Sequence, residues 1–313
     1  MKKFLLFILS AAVLLGILSC TIRPKIEAYD YVECDTVRKG FDANEENTLD
    51  AVFMGDSEVF SGVSPLDIYQ KSGIKSCVFS YRLMRLADIE SALSYVFEKQ
   101  SPSVIVLNMS SVYFSGGIMD QENDEALTRA DHIFPYLHYH IMYKTLPGLK
   151  QLLKGRTYKE MVPQLSLYRN YRPKTGVVPA GNGAVYMTQT SDVDAPADES
   201  LTRLENIEEL CEENHAQLVL MAMPNTWNWT SAKHNFLVKY AEEHDLPYFD
   251  LNTENVIDWN SDSCDGGDHL NDNGAKKADA FISEFLLEHF DLNTDKSSAW
   301  DEAITQSIYG GNQ

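Results

Sequence analysis

The chain has 313 residues, 44% of them hydrophobic, which is enough to bury one large core. Its 46 acidic residues outnumber its 26 basic residues and give a formal net charge of −20. This charge repels anionic polymers unless basic groups cluster, so we expect no nucleic acid among its partners. The length fits one large domain with insertions better than two separate domains.

The N-terminus has the pattern of a secretory signal. Met1-Lys2-Lys3 precedes an apolar run of about 15 residues, which is short for a membrane-spanning helix. Ile17-Leu18-Ser19-Cys20 loosely resembles a bacterial lipobox, which makes Cys20 a lipidation candidate. We expect residues 1–20 to be a signal peptide or membrane anchor and residues 21–47 to be a polar stalk. The protein would then be extracytoplasmic, anchored to the bacterial cell membrane by this segment or by a lipid.

The remaining cysteines are even in number, which in an oxidising compartment predicts one or two disulfides. The sequence does not assign partners among Cys34, Cys77, Cys211 and Cys264. A buried free thiol is the alternative for Cys77, which lies in an apolar run. The spacing is not typical of a zinc site, and we predict neither a metal nor a cofactor.

Apolar runs of strand length alternate with segments of helical periodicity. Strands are predicted at residues 49–54, 76–79, 104–107, 218–221 and 248–251, and helices around 89–97, 204–210, 236–240 and 274–290. This alternation indicates an α/β protein of three layers, α/β/α, with a flavodoxin-like parallel sheet. Such a sheet carries its site at the carboxyl ends of the strands.

The alternation is interrupted by an insertion at about residues 115–200, which we predict to be mostly helical and to end in a surface loop over 178–199. The domain spans residues 48–290, and the polar tail over 291–313 is expected to fray. A sugar-stacking surface is one interpretation of the aromatic residues, and core packing is the other. The residues concerned are Tyr136, His138, Tyr139, His140, Trp227 and Trp229.

Two distant motifs carry the residue types of Ser-His-Asp acyl chemistry. Gly55-Asp56-Ser57 follows the first predicted strand, and Asp265-Gly266-Gly267-Asp268-His269-Leu270-Asn271 precedes the last predicted helix. The first motif alone is more typical of a turn with a helix N-cap. The second is more specific, because it places aspartate and histidine in one loop before an amphipathic helix.

The two motifs resemble the first and last blocks of the SGNH/GDSL hydrolase superfamily. The likeness extends over residues 49–114 and 201–290. It is greatest to the bacterial cell-envelope branch, which includes teichoic-acid D-alanylation and alginate-type O-acetyltransferase proteins. The resemblance implies that Ser57 is the nucleophile, His269 the base and an aspartate its partner. The family aspartate usually stands three residues before the histidine, where this chain has Gly266. The role therefore falls to Asp265 or Asp268, and we favour Asp265 because adjacent side chains rarely reach the same imidazole nitrogen.

The resemblance also implies an oxyanion hole made by the serine N–H, a glycine after the second strand and an asparagine after the third. The candidates at these positions are Ser57, Ser80 and Asn108, so the glycine is missing. Asn108 lacks the usual surrounding motif, and a turn at the strand end is its alternative role. No role is predicted for Glu58 or Arg82.

We therefore predict a serine esterase or O-acyltransferase that acts on an acylated cell-envelope glycan or polymer. The alternative is a weak or inactive SGNH-like envelope protein that binds glycan or partners a membrane acyltransferase.

Overall fold

The computed structural model describes residues 30–113 and 164–310, with scattered residues between 3 and 14. The chain divides into two compact units, residues 1–36 with 116–161 and residues 37–115 with 162–313. The architecture below is that of the second unit. The predictions for Cys20 and for the aromatic residues Tyr136 to His140 lie outside the described residues. Within the described ranges, no helix is long and apolar enough to cross a bilayer.

A five-stranded sheet forms the centre of this unit. Its strands are β1 (Ala51–Gly55), β2 (Ser76–Ser80), β3 (Val104–Asn108), β4 (Gln217–Ala222) and β5 (Tyr248–Asp250). They run in the order β2-β1-β3-β4-β5, and all neighbouring pairs are parallel. The five predicted strands and the flavodoxin-like order are confirmed. Because the strand order reverses between β1 and β3, a crevice is expected where those two strands end.

Helices cover both faces of the sheet. They are α1 (Asp30–Phe41), α2 (Ser57–Gly62), α3 (Pro65–Ser72), α4 (Leu86–Lys99), α5 (Asp198–Glu213), α6 (Ser231–Glu243), α7 (Asp272–His289) and α8 (Ser298–Gly310). Phe53, Val106 and Ile282 belong to the core between the sheet and α7. Alternate strand residues face the other way, where the rings of Phe79 and Tyr95 lie 6.3 Å apart. Successive residues of each strand point to opposite faces of the sheet, and helices cover both faces. The predicted three-layer α/β/α architecture is therefore present.

Two segments predicted to be polar extensions are packed onto the domain. Val37 and Phe41 are fully buried, so the stalk prediction is wrong beyond residue 36. The prediction of a frayed tail is wrong for α8, where buried Trp300 lies 5.1 Å from the ring of Tyr69. In each case a few large apolar side chains provide enough buried area to order a mostly polar segment.

The cysteines differ from expectation, whereas the end of the insertion agrees with it. Cys77, Cys211 and Cys264 are free, so the disulfides predicted among them are absent, while the side chain of Cys34 is outside the described residues. Residues 171–197 form loops and turns, in agreement with the surface loop predicted over 178–199, while residues 114–163 of the insertion lie outside the described residues. Most of the predicted surface loop over 178–199 is exposed.

Candidate active site

Ser57 lies at the carboxyl end of β1, where the chain turns into the short helix α2. Asp56 is the N-cap of this helix, and its Oδ1 accepts a hydrogen bond from the Glu58 N–H at 3.0 Å. The N-cap interpretation of the first motif is therefore correct, and it also fixes the direction of the helix. The first N–H groups of a helix have no carbonyl partner within it, so the hydrogen bonds within α2 do not use the Ser57 N–H.

The loop that carries His269 depends on two glycines in the left-handed region. Gly266 and Gly267 have φ values of +89° and +105°. A Cβ atom on Gly267 would lie 2.1 Å from Thr226 Oγ1, so this position excludes larger residues. The loop is also held by backbone bonds, including Thr226 N–H to the Gly267 carbonyl at 2.8 Å. It ends at Asn271, whose side chain caps α7.

The two motifs meet at this edge of the sheet. His269 Nε2 lies 2.8 Å from Ser57 Oγ, and His269 Nδ1 lies 2.6 Å from Asp265 Oδ2. Asp265 Oδ1 also accepts the His269 backbone N–H at 2.8 Å. With a carboxylate beside Nδ1, the imidazole proton is placed on Nδ1, so Nε2 can accept the serine proton. The convergence expected from the sequence is thus found at hydrogen-bonding distance.

Asp268 is a second carboxylate on the same side of the imidazole. Its Oδ2 lies 3.3 Å from His269 Nδ1, which is longer than the contact made by Asp265. Asn225 donates from Nδ2 to Asp268 Oδ1 at 3.0 Å. The geometry therefore brings both candidate aspartates to His269 and gives Asp265 the shorter contact.

Asn108 and Ser80 lie beneath Ser57, and both are fully buried. Asn108 Nδ2 donates to Glu58 Oε2 at 2.9 Å and to Ser110 Oγ at 2.7 Å. Ser80 Oγ donates to the carbonyl of Asp56. Both amide hydrogens of Asn108 are thus engaged, and the side chain would have to give up one of these bonds to serve an oxyanion. In this arrangement Asn108 and Ser80 support the start of α2.

Asp56 and Glu58 place two buried carboxylates next to the serine. Burial raises the pKa of Asp56, and hydrogen bonds from Ser110 and the Glu58 backbone partly offset this rise. Burial, and next the charge of Asp56, raise the pKa of Glu58 well above its ordinary value. Sequence reasoning missed Glu58, because a glutamate in the first turn of a helix is ordinarily a solvated residue favoured by the helix dipole.

The two tryptophans of the 223–230 loop have opposite environments. Trp229 is 3% exposed, and its Nε1 donates to Asp250 Oδ2 at 2.9 Å, so core packing is the correct interpretation there. Trp227 is 62% exposed, although its Nε1 is held by the Gly266 carbonyl at 2.9 Å. Its ring is therefore fixed beside the histidine loop while remaining open to solvent.

In the described part of the chain, one group of side chains has its ligand atoms close enough together to hold a metal ion. The ligand atoms of Asp265, Asp268 and His269 lie within 4.8 Å of one another. The hydrogen bond of Asp265 and the 3.3 Å contact of Asp268 with His269 Nδ1 already account for this cluster. The donor set is the one expected of a histidine oriented by carboxylates.

Fold and site together define an α/β/α protein with a Ser-His-Asp chain of hydrogen bonds at the carboxyl edge of a parallel sheet. No protein-family model matches this chain, and no curated protein matches it either.

Solved structures of three bacterial proteins are similar to the chain. A Bacteroides fragilis protein described as an acylhydrolase has 12% identity, covers 83% of this chain and 99% of its own, and gives a TM-score of 0.44. A GDSL-like lipase from Bacteroides thetaiotaomicron has 13% identity, coverages of 83% and 100%, and a TM-score of 0.44. A protein from Desulfitobacterium hafniense described as lipolytic and of the G-D-S-L family has 13% identity, coverages of 76% and 99%, and a TM-score of 0.40. These descriptions name the same class of protein that the two sequence motifs resemble.

Proposed function

We propose that the protein is an SGNH-type serine esterase or O-acyltransferase. The observation that carries this proposal is the continuous contact from Ser57 Oγ through the imidazole of His269 to Asp265 Oδ2, at 2.8 and 2.6 Å. A serine hydroxyl is a weak nucleophile unless an adjacent base removes its proton, and this arrangement provides that base. Asp265 holds the tautomer that leaves Nε2 free to accept.

In the proposed reaction, His269 Nε2 takes the Ser57 proton as Ser57 Oγ attacks the carbonyl carbon of an ester. The tetrahedral intermediate collapses, the carbon–oxygen bond to the leaving alcohol breaks, and the imidazolium returns its proton to that alcohol. Water or a sugar hydroxyl then attacks the acyl-serine while His269 takes its proton. The bond between the acyl carbon and Ser57 Oγ breaks, and the imidazolium returns the proton to Ser57. Hydrolysis and transfer thus use the same three residues, and the Ser57 N–H at the start of α2 is a donor available to the oxyanion.

The substrate we propose is an acylated glycan or polymer of the cell envelope. The signal-like N-terminus supports this, since a tethered extracytoplasmic enzyme meets such substrates first. The exposed ring of Trp227 beside the histidine loop also supports it, because a fixed indole offers a flat apolar surface to a sugar ring. Anchoring would be by the N-terminal segment or by a lipid on Cys20.

One observation favours a second candidate function, an SGNH-like protein that binds glycan or partners a membrane acyltransferase without catalysis. The amide of Asn108 is fully occupied by Glu58 and Ser110, so the asparagine donor that the family resemblance implies is not presented. A site with fewer oxyanion donors would bind an ester and turn it over slowly.

A fluorophosphonate probe and p-nitrophenyl acetate distinguish the two candidates. We expect the wild-type protein to be labelled at Ser57 and to hydrolyse the ester, and we expect Ser57→Ala to do neither while unfolding at the same temperature. Release of acetate from acetylated glycans would then test the substrate class. A folded wild-type protein that neither reacts with the probe nor turns over ester would reject the enzyme and leave the binding function.

A further inference from the structure

Glu58 is one of the two buried carboxyl groups adjacent in sequence to the proposed nucleophile, and the proposed reaction does not use it. It is 6% exposed although it lies in the first turn of a helix, where glutamate usually faces solvent. Burying a carboxylate is costly unless hydrogen bonds compensate. The hydrogen bonds that compensate the burial of Glu58 therefore indicate the role of this residue.

Both Glu58 oxygens accept from asparagine side chains. Asn225 Nδ2 donates to Oε1, and Asn108 Nδ2 donates to Oε2. The direction of each amide is fixed at its other end. Asn225 Oδ1 accepts from the N–H groups of Trp227 and Asn228 at 2.8 and 2.9 Å, and Asn108 Oδ1 accepts from the Met223 N–H at 3.0 Å. A flipped amide would lose these backbone bonds, so both Nδ2 groups must face Glu58.

The amide of Asn225 connects Glu58 to the histidine loop. Besides Glu58, its Nδ2 contacts Asp268 Oδ1 at 3.0 Å and the Asp268 carbonyl at 3.2 Å. The two N–H bonds of one amide can thus serve two carboxylates that would otherwise repel each other. The other oxygen of Asp268 lies 3.3 Å from His269 Nδ1.

We propose that Glu58 is a positioning residue, which acts through Asn225 to hold the Asp268 carboxylate against His269. This inference rests on the proposed function. Asp265 makes the shorter contact with Nδ1, and Asp268 is a second carboxylate on the same atom. Without Glu58, Asn225 loses one of its two carboxyl partners, and its amide no longer holds the Asp268 carboxylate in place. The orientation of the imidazole then depends on Asp265 alone.

A double-mutant cycle with p-nitrophenyl acetate tests this link. We expect Glu58→Gln to lower kcat about 10-fold with little change in KM, because orientation of the base acts on the chemical step. In an Asp268→Ala background, the same Glu58→Gln substitution should lower kcat less than about twofold. Asp279→Asn, which neutralises a buried carboxylate in α7, is the matched control and should leave kcat unchanged.

Asn225→Asp provides a second approach if Glu58→Gln does not fold. It keeps the oxygen that accepts from Trp227 and Asn228 and replaces the donating group by an oxygen, so it should also act only when Asp268 is present. Equal losses of kcat in both backgrounds would overturn the positioning role while wild-type turnover remains dependent on Ser57. Absence of any Ser57-dependent turnover in the wild type would overturn this inference together with the proposed function.

Discussion

Ser57 Oγ and His269 Nε2 lie 2.8 Å apart although 212 residues separate them in the chain. The contact forms because β1 ends at the serine, and the loop before α7 returns the histidine to the same edge of the sheet. Neither residue is held by its neighbours in sequence alone.

The two aspartates beside His269 should contribute unequally. Asp265→Asn should lower kcat/KM for p-nitrophenyl acetate by at least about 100-fold. A neutral amide beside Nδ1 permits the tautomer of His269 that carries its proton on Nε2, and this tautomer cannot accept the serine proton. Asp268→Asn should cost less, since its oxygen is 3.3 Å from Nδ1 against 2.6 Å for Asp265. Steady-state kinetics of both variants measure the ranking. A larger loss for Asp268→Asn would transfer the principal role to that residue.

Asn108→Ala distinguishes a supporting residue from an oxyanion donor. Removal of the amide takes one hydrogen bond each from Glu58 Oε2, Ser110 Oγ and the Met223 N–H, and we expect the free energy of unfolding to fall by at least about 2 kcal/mol. Urea unfolding and active-site titration measure stability and activity per folded molecule. If kcat per folded molecule falls by about 100-fold while stability is unchanged, Asn108 is a donor to the oxyanion instead.

Trp227→Ala tests the contribution of the exposed indole to substrate binding. We expect kcat/KM for an acetylated glycan to fall about 10-fold through KM, whereas turnover of p-nitrophenyl acetate stays the same. Trp227→Phe should retain most of the affinity, because the ring is kept. Leu287→Ala removes an apolar side chain that is also exposed, on α7, and serves as the control. Unchanged glycan kinetics in Trp227→Ala would exclude stacking on this ring.

Gly267→Ala should disturb the histidine loop through its backbone. The left-handed φ of +105° and the 2.1 Å approach of Thr226 Oγ1 to the added Cβ together predict a loss of about 1–3 kcal/mol in unfolding free energy, with lower ester turnover. Gly181→Ala is the matched control, since its added Cβ would meet no atom within 4 Å. Thermal unfolding of the two variants makes the comparison, and equal melting temperatures would contradict the prediction.

Asp279 should make the stability of the protein depend on pH. Burial, and next the charge of Asp67, raise its pKa well above the ordinary value, and its Oδ2 has no hydrogen-bond partner among the described residues. A raised folded-state pKa favours the folded state when the group is protonated, so this contribution is full at low pH and is lost as the pH rises through the folded pKa.

The substitution Asp279→Asn should therefore stabilise the protein relative to wild type by more at pH 8 than at pH 5. The Ser64 N–H, which Asp279 Oδ1 accepts at 3.0 Å, retains an acceptor in this variant. Melting temperatures at the two pH values provide the measurement, with Glu284→Gln as an exposed control on the same helix. A difference between wild type and variant that does not change with pH would show that Asp279 does not titrate in this range.

The sequence by itself determined the sheet and the two residues that meet on it. Buried parallel strands leave continuous apolar runs, and a flanking helix leaves a periodic pattern, so both can be recognised locally. Ser57 and His269 could be identified because their motifs are short and lie at element boundaries. Asp265 could be ranked above Asp268 from side-chain geometry within one loop.

Only the tertiary structure decided the burial and the hydrogen-bond partners of the side chains around the site. Glu58 reads as a solvated first-turn residue in sequence, yet Asn108 and Asn225 from two other strand ends enclose its carboxylate. Trp227 and Trp229 stand two positions apart, and only the fold exposes one and buries the other. Burial and hydrogen-bond partners depend on chain segments that are distant in sequence, and no local pattern carries that information.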